Sequence, residues 1–184
     1  MQRAEHPVRW PDPATLKIVL YPDPVLRQPC APIERVDAPV TALAARMLEL
    51  MHEAEGIGLA APQVGVPVRL FVCNPTGKEG EDAVYVNPHL VEAHGADEKE
   101  EGCLSLPGVH VVMRRATRVV LEALDEKGSA VRKEGTELEA RVWQHEIDHL
   151  DGRLIIDAMS PSDEIANRRA LRQLEERYAR ATGS

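Results

Sequence analysis

With 184 residues the chain is long enough for one domain with its own core and too short for two comfortable ones. Although 43% of it is hydrophobic, no run approaches the roughly 20 apolar residues that span a membrane. A formal net charge of −8 argues against a general nucleic-acid binder, and three widely spaced cysteines fit a reducing compartment better than a disulfide framework. A soluble, cytoplasmic, single-domain protein over residues 1–184 is expected.

Residues 1–16 contain Glu5, Asp12 and three prolines and lack a basic start followed by an apolar stretch. Neither a secretory signal nor a transit peptide is indicated, and the segment reads as an N-terminal extension with no inferable role. From Val40, the positions Leu43, Ala44, Met47, Leu48, Met51 and Ala54 follow helical spacing, with Pro39 in the first turn and Gly56 past the end.

Gly56-Ile57-Gly58-Leu59-Ala60-Ala61-Pro62-Gln63 matches the dinucleotide fingerprint G-x-G-x-x-A, but it follows a helix where that motif must follow a strand. Nucleotide binding is rejected. Two readings remain: a glycine-capped helix end running into a tight loop, or a loop whose small residues let a substrate backbone approach while Gln63 donates towards developing negative charge.

Residues 68–73, 83–91 and 117–124 are short, rich in valine and leucine, and bounded by turn residues, as strands are. Asp125-Glu126-Lys127-Gly128 is a hairpin turn into a further strand over 129–133. Thr136 with Glu139 predicts a capping box, and Gly152 a C-terminal cap, for a helix of about four turns. A last helix starts at Ser160-Pro161 and covers 161–181. Helices at both ends of hairpin-linked strands make an α+β fold.

The helix capped by Gly152 carries His145-Glu146-Ile147-Asp148-His149. Histidines four apart share a helix face, roughly 5–6 Å apart at Cβ, so both imidazoles can reach one divalent metal. Glu146 falls on the neighbouring face, free to handle a proton, which is the pattern of a metal-activated water beside a general base. Alone, the motif also fits a solvated helix face, so a third ligand decides. Ile155 stands where the metzincin pattern needs histidine, which excludes that class. Glu164 and Glu175 lie in ordinarily exposed stretches. Cys103 is the better candidate, flanked by Gly102 and followed by Pro107-Gly108, with a thiolate that suits Fe(II) as well as Zn(II). Cys30 and Cys73 read as small core residues.

Taken in order, the G-x-G-x-A-A-x-Q loop, the E-G-C-x-S loop (Glu101 to Ser105) and the H-E-x-D-H helix resemble the peptide deformylase family. Tyr21-Pro22-Asp23-Pro24 and Leu26-Arg27 extend the resemblance, which covers residues 17–180. It implies mostly antiparallel sheets packed around the central motif helix, plus a C-terminal helix. It implies removal of the formyl group from the N-terminal methionine of newly made chains, with release of formate. The metal would sit on Cys103, His145 and His149: one divalent ion per chain, Fe(II) in cells, with Zn, Ni or Co as substitutes. Glu146 would take a proton from the attacking metal-bound water and pass it to the departing amine, while Gln63 and the Leu104 amide hold the oxyanion.

The resemblance also implies that the peptide binds as an added strand, with Gly56, Ile57, Gly58, Glu101, Gly102, His110 and Val142 contacting substrate. Ile57, Val142 and Trp143 are candidates for the methionine pocket, each also readable as core. Apart from the resemblance, Asp148 is not a ligand by spacing, and the unpaired charge of Asp148, Glu101 and Arg115 close to buried motifs suggests that they support the ligands from behind. Partners are nascent N-formylmethionyl chains and, through Arg168, Arg169, Arg172, Arg177 and Arg180, the ribosome near its exit tunnel; a solvated helix face is the equal alternative. The competing functions are a zincin-like endopeptidase, which the missing third histidine disfavours, and a non-catalytic peptide-binding module, which would be expected to lose Glu146 or a ligand.

Overall fold

The computed structural model describes residues 10–183. A first helix, α1 (Ala38–Glu53), is followed by seven strands, β1 (Gly58–Ala60), β2 (Leu70–Cys73), β3 (Ala83–His94), β4 (Asp97–Glu101), β5 (Val111–Arg115), β6 (Arg118–Leu124) and β7 (Ala130–Thr136). Two further helices, α2 (Glu137–Leu150) and α3 (Pro161–Thr182), complete the chain. The strands form an antiparallel sheet in the order β1-β2-β3-β6-β7 and a separate β4-β5 hairpin. This is the expected α+β architecture, with α2 packed against β1, β2, β6 and β7.

Helix α1 stops one residue earlier than glycine placement suggests. Glu55, at φ 54°, takes the left-handed position, and the Glu55 and Gly56 amides close the end on His52 O at 3.0 Å and Met51 O at 2.8 Å. Gly56 instead leaves room for Leu104: a β-carbon there would sit 2.7 Å from Leu104 Cδ1 and the leucine would have to shift. At the end of α2, Gly152 does act as expected, at φ 75°, with Arg27 O only 2.6 Å from where a β-carbon would lie. The capping box at the other end of α2 does not form. Thr136 is the N-cap residue but its hydroxyl makes no capping bond, because β7 runs straight into the helix and the Glu137 amide, at φ 50°, donates to Thr117 O.

Two strands carry too little pattern to stand out in the sequence. Strand β1 has only three residues, and β4, Asp-Glu-Lys-Glu-Glu, is charged throughout. Strand β5 holds β4 in a five-pair register and supplies the alternation, with Val111, Met113 and Arg115 buried and Val112 and Arg114 exposed. The loop expected around Cys103 therefore begins at the end of a strand.

The apolar side chains fall into three clusters. One lies between α1 and β1-β2, and residues 10–16 belong to it: Leu16 is buried and Trp10 packs on it, so this part of the N-terminal extension closes the core. Residues 1–9 lie outside the described part. A second cluster sits between the sheet and α2 and contains Trp143, fully buried edge-on to Tyr85 at 5.5 Å and stacked over Gly135. Trp143 is thus core and not a pocket wall, since it points from α2 to the opposite side from His145. The third cluster joins Leu26, Leu106, Val111 and Ile155 to Leu174 of α3.

Candidate metal centre

Four segments meet at the face of α2 that the sheet leaves open. Cys103, from the β4–β5 loop, and His145 and His149 of α2 bring their sulfur and ring nitrogens within 4.8 Å of one another. Cys103 Sγ lies 3.3 Å from His149 Nε2, and the two rings stand edge to face at 5.0 Å. The cysteine stays at this distance because Leu106 N–H donates to its carbonyl at 2.9 Å, turning the loop back on itself.

Burial drives the His149 pKa well below its ordinary value and keeps the ring neutral, the form that ligates. Burial also opposes charge on His145, but the Cys103 thiol and the Glu101 carboxylate outweigh it and raise that ring well above the usual range. Glu101 Oε2 meets His145 Nδ1 at 3.0 Å and so aims Nε2 at the cysteine and the second histidine.

Glu101 is itself gripped. Arg115 donates to both its oxygens at 2.9 and 3.0 Å, and Arg141 donates to Oε1 at 2.8 Å. Arg115 also binds Asp148, so the expected grouping of Asp148, Glu101 and Arg115 exists as a buried ion-pair chain. Burial raises the Glu101 pKa, but His145 and Arg115 overcome it and hold the carboxyl down at about 2.

The unfolded carboxyl titrates near 4.5, so the stability from this group is fully present above that pH and lost as the pH falls towards 2. Neutral His149 acts in the same sense. Metal-free protein should therefore lose about 3 kcal/mol from Glu101 between pH 4.5 and 2, seen as a fall in urea midpoint that Glu101→Gln flattens.

Glu146 faces a different environment. It is 4% exposed, and its Oε2 has no hydrogen-bond partner. Burial pushes its pKa up to about 7, against the pull of His145. A β-carbon on Gly58 would collide with this carboxylate and crowd Val142, so glycine lets β1 lie this close to α2 without displacing Glu146. On the far side, Gln63 Oε1 accepts the Ala60 amide at 2.8 Å, which fixes the amide's orientation. Its Nε2 then points at Ser105 Oγ, 3.2 Å away, and Cys103 Sγ, 3.5 Å away.

Above these groups opens a cavity of about 450 Å³. Gly56, Ile57 and Gly58 form one wall, Glu101, Gly102, Cys103 and Leu104 the other, and Val142, His145 and Glu146 the floor. His110 does not line it: its ring lies beside Gly102, and its backbone is bound by Asn167 of α3 at 3.0 and 2.7 Å. The lining also includes Glu55, Glu100, Leu138 and Arg141, which the sequence reading left out. Arg141 had a usable signal, since it stands four residues before His145 on the same helix face. The donor set is soft and mixed, its atoms converge, and an unpaired carboxylate oxygen lies beside it. These residues fit a divalent metal of the iron or zinc kind.

The polypeptide deformylase family profile matches residues 15–164. The chain belongs to the peptide deformylase family. It is 44% identical over 164 residues to the peptide deformylase of Alkalilimnicola ehrlichii, covering 88% of this chain and 90% of that one. It is 46% identical over 144 residues to that of Rhodopirellula baltica, covering 77% and 72%. The crystal structure of a Legionella pneumophila peptide deformylase superposes with a TM-score of 0.83 at 42% identity, covering 89% of this chain and 97% of that one.

The enzyme is accordingly a hydrolase of the deformylase class, metal-dependent like its family. None of its helices, among the described residues, is long and apolar enough to cross a membrane. The five arginines of α3 are exposed, while Asn167 and Leu174 bury the other face.

Proposed function

We propose that the enzyme deformylates N-formylmethionyl peptides at the Cys103-His145-His149 centre, with Glu146 as proton carrier. The observation that carries this is the buried, unpaired Glu146 carboxylate beside three converging ligand atoms at the floor of an open groove. A divalent ion held there supplies Lewis acidity that activates water and polarises the formyl oxygen. Fe(II) is the ion proposed for cells, and Zn, Ni or Co can take its place on the same donors.

Glu146 can accept the proton of an attacking water and return it to the leaving amine, because its carboxylate lines the cavity with one oxygen unpartnered, and in the metal-free site burial raises its pKa to about 7. Gln63 Nε2 is pre-aimed by the Ala60 contact, and the Leu104 amide takes no acceptor among the described residues. These two donors suit the oxygen of a tetrahedral intermediate. Gln63→Ala should keep its metal and lose about 10²–10³ in kcat. Near wild-type turnover in a metal-replete variant would remove Gln63 from this role.

Strand β1 is the outer strand of its sheet, and β4 is unpaired on the side away from β5. A peptide laid between them can pair by backbone while Ile57, Val142 and Leu138 surround its first side chain. That arrangement gives affinity without demanding a sequence, as many different nascent chains require. The test is formate release from formyl-Met-Ala-Ser by protein purified and metal-loaded without oxygen, beside cleavage of the unformylated peptide. Formate without cleavage is expected, and cleavage without formate would favour an endopeptidase.

For the ribosome, the support is the five exposed arginines of α3, set against Asp163, Glu164, Glu175 and Glu176 on the same helix. Arg169, Arg172 and Arg177 changed together to glutamate should abolish co-sedimentation with ribosomes and leave peptide turnover intact. Unchanged co-sedimentation would leave the arginines as a solvated face.

A further inference from the structure

The lip of the groove formed by Glu55, Gly56, Ile57 and Gly58 is tied to a surface loop that lines no part of the cavity. Ile57 is 41% exposed, and its carbonyl accepts the Asn74 amide at 2.9 Å. Asn74, only 3% exposed at the end of β2, is the hub of residues 74–82. Its Oδ1 accepts the Gly77 amide at 2.9 Å and the Thr76 hydroxyl at 3.1 Å. Its Nδ2 donates to Lys78 O at 2.9 Å and to Asp82 Oδ1 at 2.8 Å.

Asp82 is bound in turn by His52 Nε2, 3.0 Å from each carboxylate oxygen. His52 lies in the last turn of α1, directly before the lip. The contacts therefore close a ring: α1 end, Asp82, Asn74, Ile57, and back through Gly56 to α1. Both polar atoms of the Asn74 side chain are used: Nδ2 ties the ring to Asp82 and the loop to Lys78, and Oδ1 holds the loop through Thr76 and Gly77.

We propose that His52, Asp82 and Asn74 are positioning residues that hold the Ile57-Gly58 backbone at the depth and angle a peptide needs to pair with it. They touch neither metal nor reacting atoms. Opening the ring leaves the catalytic groups in place and frees the strand edge, so the loss falls on substrate affinity and not on the chemical step. The kinetic part of this inference rests on the deformylase reading.

Asp82 is a surface residue and can be changed without disturbing the core. In the metal-loaded enzyme Asp82→Ala should raise KM for formyl-Met-Ala-Ser roughly five- to tenfold, the effect of a lost hydrogen bond, with kcat within about twofold. Amide exchange over residues 55–58 should quicken at the same time. Asp82→Asn keeps an oxygen for Asn74 Nδ2 and should restore most of both properties. An unchanged KM, unchanged exchange at the lip, or an Asn variant as impaired as the Ala variant would each overturn the proposal. Absence of formate release by the wild-type enzyme would instead refute the deformylase reading, and the exchange comparison would still decide the ring.

Discussion

Glu146→Gln is expected to retain its full metal content and to lose about 10²–10⁴ in kcat, the range supplied by a positioned proton carrier. Glutamine matches glutamate in size, and the site is closed tightly enough to require the match. Even a β-carbon at Gly58 on β1 would meet the carboxylate, and the residue is 4% exposed. The variant should therefore fold and load normally. What it loses is the titratable carboxyl itself, which burial raises to about 7 in the metal-free site.

Stability should move in the opposite direction to activity. In the metal-free protein a carboxyl raised from 4.5 to about 7 destabilises the folded state above its unfolded pKa, and the metal-free glutamine variant escapes that cost. Metal content, kcat and thermal midpoint measured together check the prediction. A loss of metal parallel to the loss of rate would show that Glu146 holds the site instead of serving the reaction.

How much of this was legible in the sequence depended on whether the signal was local. The His145-His149 pair, Glu146, the cap at Gly152 and helix α3 are set within one or two turns of helix, where spacing and punctuation suffice. The β4–β5 hairpin is set by its partner strand. Asp97–Glu101 has no β character of its own, and only pairing with Val111–Arg115 makes it a strand. The same holds for Trp143, whose side of α2 was fixed by Gly135 on β7, and for His110, whose backbone was claimed by Asn167 of α3. The Glu101-Arg115-Asp148 chain was reached from the sequence by a chemical argument about unpaired charge, while Arg141, its fourth member, was missed although it lies on the helix face already in view.

Cys103→Ala is expected to remove the metal, with turnover falling to background and the fold retained. Outer partners of metal ligands are commonly worth about 10–100-fold in affinity, so loss of a ligand should exceed that range. The two remaining donors are neutral or readily protonated rings on one helix, and no other thiol can move in. Cys30 and Cys73 are buried in the core behind α2, where burial pushes both thiols up to about 12. Cys103 is half-buried on a loop whose shape rests on backbone contacts, among them the Leu106 amide to the Cys103 carbonyl, which alanine preserves. The thermal midpoint of the variant should thus match that of metal-free wild type and fail to rise on adding metal, whereas the wild type rises by mass action. Cys73→Ala is the matching control: it should lose stability from a core cavity yet keep metal and turnover. If Cys103→Ala protein still bound an equivalent of metal with unaltered affinity, the Cys-His-His assignment would be wrong at its root.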